Sequence, residues 1–209
     1  MVPSLAVGGW FVTFEGIDRS GKTTQARMLC EALGRRAVAV REPGGTPFGE
    51  RVRSILKDPT VEMGPQAEAL LFAAARAELV ERVVRPALES GLVVVSDRFL
   101  DSSLAYQGVA RGLGVDEVAS INRFATDGLV PDLTILLTVD PATAVARGAE
   151  EDRFESEGVA FQLRVQEAYE RLAEAEPTRW RRVAADRLPD EVHDEVLAVV
   201  EAALHGSPA

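Results

Sequence analysis

The amino-acid sequence predicts an α/β fold in which a parallel β-sheet is covered by helices on both faces. Short apolar segments alternate with longer helical patterns along nearly all of the 209 residues. The apolar segments are rich in β-branched residues and lack period-two alternation, which is typical of strands that are buried on both faces. Strands that alternate with helices favour parallel pairing through helical crossovers.

Four segments are predicted to be buried strands, and a fifth is a weaker candidate. The four are WFVTF (10–14), AVAV (37–40), LVVVSD (92–97) and LTILLTV (133–139), and the weaker one is WRRVAA (180–185). Apolar periodicity and terminal glycines predict helices over residues 23–33, 66–89, 115–128, 159–174 and 190–204. The sequence contains no internal repeat or Pro/Gly-rich linker, so we expect residues 1–209 to form one domain.

The composition argues against nucleic-acid and membrane partners. The formal net charge is −10, whereas a surface for nucleic acid or anionic lipid needs a positive field. No apolar stretch approaches the roughly 20 residues of a membrane helix, and the N-terminus lacks the basic segment of a signal peptide. We therefore expect a cytoplasmic protein. Cys30 is the only cysteine, and its apolar helical context predicts a packed core residue.

Residues 16–23 match the phosphate-binding pattern G-x-x-x-x-G-K-[ST], between a predicted strand and a predicted helix. In such loops N–H groups approach the phosphates, the lysine reaches the β- and γ-phosphates, and the hydroxyl residue can hold Mg²⁺. Compositional bias explains why 21 of the 23 basic residues are arginines, but the lysine kept at position 22 indicates a need for a compact ammonium. We predict that a nucleoside triphosphate binds to Gly16, Ile17, Asp18, Arg19, Ser20, Gly21, Lys22, Thr23 and Thr24.

Charged residues follow two predicted strands at their carboxyl ends, where ligands gather in doubly wound sheets. Asp97 ends the third strand and is placed to hold Mg²⁺ through water or to accept a proton from a nucleophile. Arg98 follows it, either as a phosphate clamp or as half of a surface ion pair, and Arg41 begins REPGGT after the second strand. Two such arginines indicate a second phosphate, which favours phosphoryl transfer to a phosphorylated acceptor.

Two further segments each allow two interpretations. Phe72 and Arg76 share one helical face within LLFAAARAEL (70–79), where the usual assignment is a core aromatic and a solvated charge. They could also stack on a planar base and hydrogen-bond its edge. The polar segment RGAEEDRFESEG (147–158) could be a solvated connection or a mobile lid over the site.

Over almost its whole length the sequence resembles the thymidylate kinases, a family of P-loop nucleoside monophosphate kinases. The motifs that resemble the family are FEGIDRSGKTTQ, REPGGT, LLFAAARAEL, SDRFLDSSLAYQG, VPDLTILLTVDP and EDRFE. REPGGT together with SDRFLDSSLAYQG is far more specific than the phosphate loop alone. The resemblance implies transfer of the γ-phosphoryl group from ATP to dTMP with Mg²⁺. It also implies a P-loop NTPase three-layer sandwich with a five-stranded parallel sheet, a short lid at about 147–158, and a homodimer.

The resemblance implies that four residues hold the sugar and phosphate of dTMP. Asp18 binds the 3′-hydroxyl, while Arg41 and Arg98 hold the phosphate. Tyr106 crowds the position of a 2′-hydroxyl, so its bulk rejects ribonucleotides.

Five more residues are implied to form the pocket for the thymine base. Phe72 stacks on the ring and Arg76 hydrogen-bonds its edge. Ser102, Ser103 and Gln107 line the pocket around them.

Arg19 is an unexpected residue in a loop built for backbone contacts. A guanidinium at this point can stabilise the charge that spreads over the transferred phosphoryl group. In the family this arginine comes from either the loop or the lid, and here the lid contains only Arg147 and Arg153. We assign Arg19 as the main transition-state cation and Arg153 as a lid contact to the nucleotide phosphates. The predicted catalytic residues are thus Arg19, Lys22, Asp97 and Arg153, and the predicted Mg²⁺ residues are Thr23 and Asp97.

Other functions remain open at this stage. A kinase for another monophosphate such as dUMP, or a deoxynucleoside kinase, shares most of these features, although the second anion site disfavours a nucleoside acceptor. A nucleotide-gated GTP switch is disfavoured because Asn122 is the only asparagine and Asn-Lys-x-Asp is absent. The segment VAADRL (183–188) departs from the family pattern near the adenine, which leaves the adenine contacts unassigned.

Overall fold

A five-stranded, all-parallel sheet runs through the centre of the structure, in the order β2-β3-β1-β4-β5. The structure is a computed structural model that describes residues 8–147 and 158–206. Its strands are β1 Trp10–Glu15, β2 Ala37–Arg41, β3 Val93–Asp97, β4 Leu133–Thr138 and β5 Trp180–Ala184. All five predicted strands, including the weaker fifth, are confirmed within one residue at each end.

The register of the strands decides which residues meet at the carboxyl edge of the sheet. Asp97 at the end of β3 is paired with Phe14 of β1 on one side and with Arg41 of β2 on the other. The loop that follows β1 therefore begins beside the residues that follow β2 and β3. This is the edge at which a doubly wound sheet binds ligands.

Nine helices are described within residues 8–147 and 158–206, and two of them continue into π-helical segments. The helices are α1 Lys22–Leu33, α2 Pro47–Lys57, α3 Pro65–Leu79, α4 Arg85–Glu89, α5 Leu100–Ser103, α6 Val115–Thr126, α7 Pro141–Ala146, α8 Gly158–Ala175 and α9 Pro189–Gly206. The π-helical segment Val80–Val84 joins α3 to α4, and Leu104–Ala110 extends α5. The five predicted helices are confirmed within two residues at each end, with 66–89 corresponding to α3, its π-helical segment and α4.

The sequence analysis missed α2, α5 with its π-helical extension, and α7. For α2 the local signals were present, because Thr46 accepts a hydrogen bond from the Gly49 N–H at 2.9 Å and Pro47 is at the first helical position. For Leu104–Ala110 the widened turns depend on packing against α6 and α8 rather than on local propensity. This segment contains Tyr106 and Gln107, two of the predicted site residues.

Buried side chains cover both faces of the sheet. On one face α1 and α9 pack Leu29 and Val196 against β-strand residues such as Phe14. On the other face α8 and the segments after β3 contribute Tyr169 and Tyr106, while α3 and its π-helical continuation cover the far end. The strands are thus buried on both sides, as their uninterrupted apolar sequences predict.

Two smaller expectations concern Cys30 and membrane segments. Cys30 is partly buried against the α1–α9 side of the core, where burial raises the pKa of its thiol to about 11. Among the described residues, no helix combines the length and the apolar character needed to cross a bilayer.

Candidate active site

The phosphate loop joins β1 to α1 and has the backbone shape that its glycine pattern predicts. Gly16, Arg19 and Gly21 have positive φ angles of 141°, 61° and 100°. A Cβ at Gly16 would lie 2.6 Å from the Leu137 carbonyl oxygen, so only glycine allows the loop to pass β4 this closely. Gly21 supplies no side-chain cap to α1, which leaves the first N–H groups of the helix available to an anion.

Lys22 lies at the centre of the loop, with its ammonium group buried. Its Nζ donates hydrogen bonds to the Ile17 carbonyl oxygen at 2.6 Å and to the Ser20 hydroxyl at 3.3 Å. Burial and then the charge of Arg98 lower the pKa of Lys22 to about 8, although neighbouring carboxylates oppose them. The loop is therefore folded around an ammonium whose charged form gains from an added anion.

Thr23 and Asp97 are in direct contact, although they are 74 positions apart in the sequence. The Thr23 hydroxyl donates a hydrogen bond of 2.5 Å to Oδ2 of Asp97. Both side chains offer hard oxygen ligands of the kind that Mg²⁺ prefers, and they meet where the loop faces the end of β3. Among residues 8–147 and 158–206 there is no cluster of three His, Cys, Asp or Glu residues that could hold a metal. A metal here would depend on ligands outside the protein, as Mg²⁺ does when phosphates and water complete its shell.

A cavity of about 240 Å³ opens between the phosphate loop, the ends of β2 and β3, and α3. It brings together all the residues that the sequence assigned to dTMP except Arg76. These lining residues are Asp18, Arg41, Phe72, Arg98, Ser102, Ser103, Tyr106 and Gln107. The sequence analysis missed four other lining residues, namely Glu42 and Pro43 in REPGGT and the basic pair Arg53 and Lys57 on α2.

Arg98 is held in one orientation at the floor of this cavity. Its Nη2 donates to Oδ1 of Asp18 at 2.5 Å and to the Tyr106 hydroxyl at 3.2 Å. Its Nη1 donates to the Ser102 hydroxyl at 3.0 Å and to the Tyr169 hydroxyl at 3.3 Å. Arg98 also has a positive φ of 71°, unusual for a residue with a side chain, so the surrounding contacts must maintain this backbone. The sequence left open a surface ion pair between Arg98 and Asp97, but the carboxylate that pairs with Arg98 is that of Asp18.

Asp18 lies beside Arg98 and is held by α8 as well. The Gln162 amide donates from Nε2 to Oδ2 of Asp18 at 2.8 Å, and its Oε1 accepts from the Asp18 N–H at 3.3 Å. Burial alone would raise the pKa of Asp18, but Arg98 and Lys22, with hydrogen bonds from Gln162 and Tyr106, hold it below its usual range. Gln162 is a site residue that sequence reasoning missed, because nothing local links it to a loop 144 positions away.

Arg76 is buried behind the wall of the cavity, with only 1% of the residue exposed. Its Nε and Nη2 donate to Oε2 of Glu42 at 2.8 and 2.5 Å. The other N–H groups reach the Ser103 hydroxyl, the Asn122 side-chain oxygen and the Phe99 carbonyl oxygen. All five donors of the guanidinium therefore have acceptors, and the solvated-charge interpretation is wrong. The physical reason is the buried ion pair with Glu42, which the sequence alone did not reveal.

Glu15, the last residue of β1, links the elements around Arg98. It is fully buried and accepts hydrogen bonds from the Phe99 N–H at 2.8 Å, the Ser102 hydroxyl at 2.6 Å and the Tyr169 hydroxyl at 2.8 Å. Burial, followed by the nearby Asp101 carboxyl, raises the pKa of Glu15 to about 7, although Arg98 opposes the shift. Sequence reasoning missed Glu15, although it ends a strand in the same way as Asp97, which was predicted from that position.

This raised pKa predicts a stability effect that depends on pH. Because the folded state holds the Glu15 proton up to about pH 7 and the unfolded chain only to about 4.5, wild-type stability falls as pH rises between these values. Glu15→Gln removes this titration. The Tm of the variant minus the Tm of wild type should therefore be larger at pH 8 than at pH 5, by roughly 5 °C. Thermal unfolding at both pH values measures this, with the exposed Glu174→Gln as the matched control. Wild-type and Glu15→Gln Tm values that run parallel across this range would contradict the prediction.

A second cavity, of about 490 Å³, lies on the opposite side of the phosphate loop. It is bounded by α1, by the start of α9 and by the segment 183–188 that precedes α9. Ala185 and Arg187 of that segment line the cavity. Three residues, Arg19, Lys22 and Thr23, line both cavities. The loop thus forms a common wall between two adjacent binding spaces.

Arg147 connects the two sides of the second cavity. Its Nη1 donates to the Arg19 carbonyl oxygen at 3.0 Å and its Nη2 to the Ala185 carbonyl oxygen at 2.6 Å. Residues 148–157 of the predicted lid, including Arg153, lie outside the described residues, and Gly158 begins α8. Arg147 therefore joins the phosphate loop to the segment that the sequence had left without an assignment.

A phosphate loop on a parallel sheet, with a ligand cavity on either side, defines a P-loop nucleotide-binding α/β protein. Within that class, a sequence model of the thymidylate kinase family matches residues 14–196, and the chain belongs to this family. It is 49% identical over 200 residues to the thymidylate kinase of Symbiobacterium thermophilum, an alignment that covers 93% of this chain and 94% of the relative.

Another sequence relative and a solved structure support the same family. The thymidylate kinase of Halothermothrix orenii is 45% identical over 205 residues, covering 94% of this chain and 98% of the relative. The crystal structure of thymidylate kinase from Ehrlichia chaffeensis superposes with a TM-score of 0.78 at 32% identity, covering 92% of this chain and 99% of that one. The predicted fold class, a P-loop NTPase sandwich with a five-stranded parallel sheet, is confirmed.

Proposed function

We propose that this chain transfers the γ-phosphoryl group of ATP to dTMP, giving ADP and dTDP. The observation that carries this function is the common wall of Arg19, Lys22 and Thr23 between the two cavities. Phosphoryl transfer requires that donor and acceptor meet in line at one point, and a wall that faces both spaces supplies that point. Membership of the thymidylate kinase family identifies the phosphorylated acceptor as dTMP and the protein as an ATP-dependent phosphotransferase.

The first cavity is proposed to bind the sugar and phosphate of dTMP. Arg98 presents a planar guanidinium that is already oriented, and phosphate oxygens would share the N–H groups that now contact the hydroxyls of Ser102, Tyr106 and Tyr169. Arg41 is exposed and paired with Glu50 at 3.0 Å, so it is placed to exchange this weak surface partner for the phosphate. Asp18 accepts from the 3′-hydroxyl, and the Tyr106 ring beside it leaves no room for a 2′-hydroxyl.

The base of dTMP is proposed to lie against Phe72, with Ser102, Ser103 and Gln107 around its edge. Arg76 then reaches the base by sharing one of the donors that now contact Ser103 and Asn122, because none of its N–H groups lacks an acceptor. Its ion pair with Glu42 keeps the guanidinium in place during that exchange.

The second cavity is proposed to bind ATP, with residues 16–24 around its phosphates and the nucleoside between Arg147 and segment 183–188. Lys22 neutralises the β- and γ-phosphates, and Arg19 stabilises the negative charge on the transferred phosphoryl group in the transition state. Arg153 is proposed to add a lid contact to the same phosphates. Mg²⁺, when bound, would draw charge from the phosphate oxygens and would be held by Thr23 directly and by Asp97 through water.

One assay tests the function directly. ADP release is measured with ATP and Mg²⁺ and with dTMP, dUMP, dGMP, thymidine or no acceptor. We expect the highest turnover with dTMP. A rate with dTMP no higher than the rate without an acceptor would refute the proposed kinase activity. Higher turnover with another monophosphate would make that monophosphate the acceptor. Slow release that no acceptor changes would indicate a switch NTPase.

We also propose that the chain, as one domain over residues 1–209, forms a homodimer in the cytoplasm, where ATP is available. Phe124 on α6 is 91% exposed, and α3, which packs beside α6 and α2, exposes Leu70. A large aromatic in water favours burial against a second copy. Light scattering should give twice the 22.5 kDa of one chain, and Phe124→Glu should give the monomer mass. A wild-type monomer at micromolar concentration would contradict this.

A further inference from the structure

Gln107 lines the first cavity and belongs to the π-helical segment Leu104–Ala110. The residue is only 1% exposed, so its amide is held in place by the surrounding protein. An amide offers a donor at its nitrogen and an acceptor at its oxygen. Which of the two faces the cavity decides which edge of a base can be recognised there.

Glu68 on α3 determines the orientation of this amide. Nε2 of Gln107 donates to Oε1 of Glu68 at 2.8 Å, and the Glu68 residue is also 1% exposed. Arg111 pairs with the same carboxylate, with N–O distances of 3.4 Å to both oxygens. A carboxylate paired with a guanidinium accepts hydrogen bonds and donates none. Glu68 therefore binds the nitrogen end of the amide and excludes the flipped orientation.

The oxygen of the Gln107 amide is left for a ligand. Within residues 8–147 and 158–206, no group donates a hydrogen bond to Oε1 of Gln107, while Nε2 is occupied by Glu68. The same face of α3 supplies Glu68, Phe72 and Arg76, at successive intervals of four residues. One helix face thus contains the stacking ring, the guanidinium and the carboxylate that orients the amide.

We propose that Glu68 is a positioning residue that turns the oxygen of Gln107 toward the base and so selects a 4-oxopyrimidine over a 4-aminopyrimidine. This inference rests on the proposed function. Thymine and uracil carry a hydrogen on N3, which the oxygen accepts, whereas N3 of cytosine carries a lone pair, which the oxygen repels. A buried site built for one hydrogen-bond pattern rejects its inverse because the polar groups of both partners stay unsatisfied.

The test compares kcat/KM for dTMP with kcat/KM for dCMP in wild type, Glu68→Gln, Gln107→Leu and the double variant. Glu68→Gln has the same shape, but its amide can donate as well as accept, so both orientations of Gln107 become possible. We expect the dTMP/dCMP ratio to fall on the order of ten-fold in Glu68→Gln. Gln107→Leu should lower the ratio at least as much. In the double variant, Glu68→Gln should cause no further fall.

Controls separate this role from a structural one. Glu78→Gln makes the same change on the exposed side of α3, where Glu78 pairs with Arg82 at 3.2 Å, and should leave the ratio at its wild-type value. A structural effect of Glu68 would lower both rates equally and would persist without Gln107. Either result, or an unchanged ratio in Gln107→Leu, would overturn the inference. Because Gln107→Leu stands alone, the inference remains testable if Glu68→Gln does not fold. Absence of dTMP turnover in wild type would instead refute the proposed function.

Discussion

Replacing Arg19 with methionine is expected to lower kcat by about 10³-fold or more and to change the KM for ATP and for dTMP only a few-fold. In the proposed mechanism its guanidinium is needed mainly when charge spreads over the phosphoryl group in the transition state. Arg19 lines both cavities and lies in the loop at a φ of 61°. The position is thus between the two cavities that we propose for the donor and the acceptor.

Steady-state kinetics with both substrates varied measures this effect. Arg19→Lys is the matched variant, because it keeps the charge but loses the planar fork, and it should recover only part of the rate. Arg147→Met is the control, since Arg147 contacts the loop through the Arg19 carbonyl oxygen. A near-normal kcat in Arg19→Met would move the transition-state charge to Arg147 or Arg153.

Replacing Arg98 with lysine is expected to raise the KM for dTMP by about 10²-fold, with a much smaller change in the KM for ATP. Arg98 donates to four side chains from two nitrogens, and a single ammonium cannot make these contacts while it binds phosphate. Lysine keeps the positive charge but loses the hydrogen bond from Nη2 that holds Oδ1 of Asp18. The site would therefore lose both its phosphate clamp and part of its sugar contact.

Arg41→Lys is the matched control for this prediction. Arg41 has an exposed side chain and a surface ion pair with Glu50, so its replacement should raise the KM for dTMP by no more than about ten-fold. Initial rates over a range of dTMP concentrations distinguish the two variants. Equal effects at the two positions would show that orientation by the protein does not decide phosphate binding.

Local sequence patterns predicted much of the site because the chemistry of phosphate binding is concentrated in contiguous motifs. The phosphate loop needs Gly16 and Gly21 for their backbone angles and Lys22 for its compact charge, and all of this lies within eight residues. The strand-end residues Arg41 and Asp97 could be located because carboxyl ends of parallel strands share one edge, and the register aligns them directly.

The residues that sequence reasoning missed act through partners that are distant in the chain. Glu42 holds Arg76 across 34 positions, Glu68 holds Gln107 across 39, and Gln162 holds Asp18 across 144. A sequence pattern contains no record of such pairs, since each residue by itself looks like an ordinary polar residue on a helix or loop.

By itself the sequence determined the fold class, the strands and the identity of the phosphate loop, because period, propensity and turn chemistry are properties of neighbouring residues. Only the tertiary structure decided that Arg76 is buried and fully bonded, that Arg98 is held by Asp18 and Tyr106, and that Arg19 faces two cavities. The physical reason is that burial and hydrogen-bond partners are set by which elements pack together, and packing is a property of the whole fold.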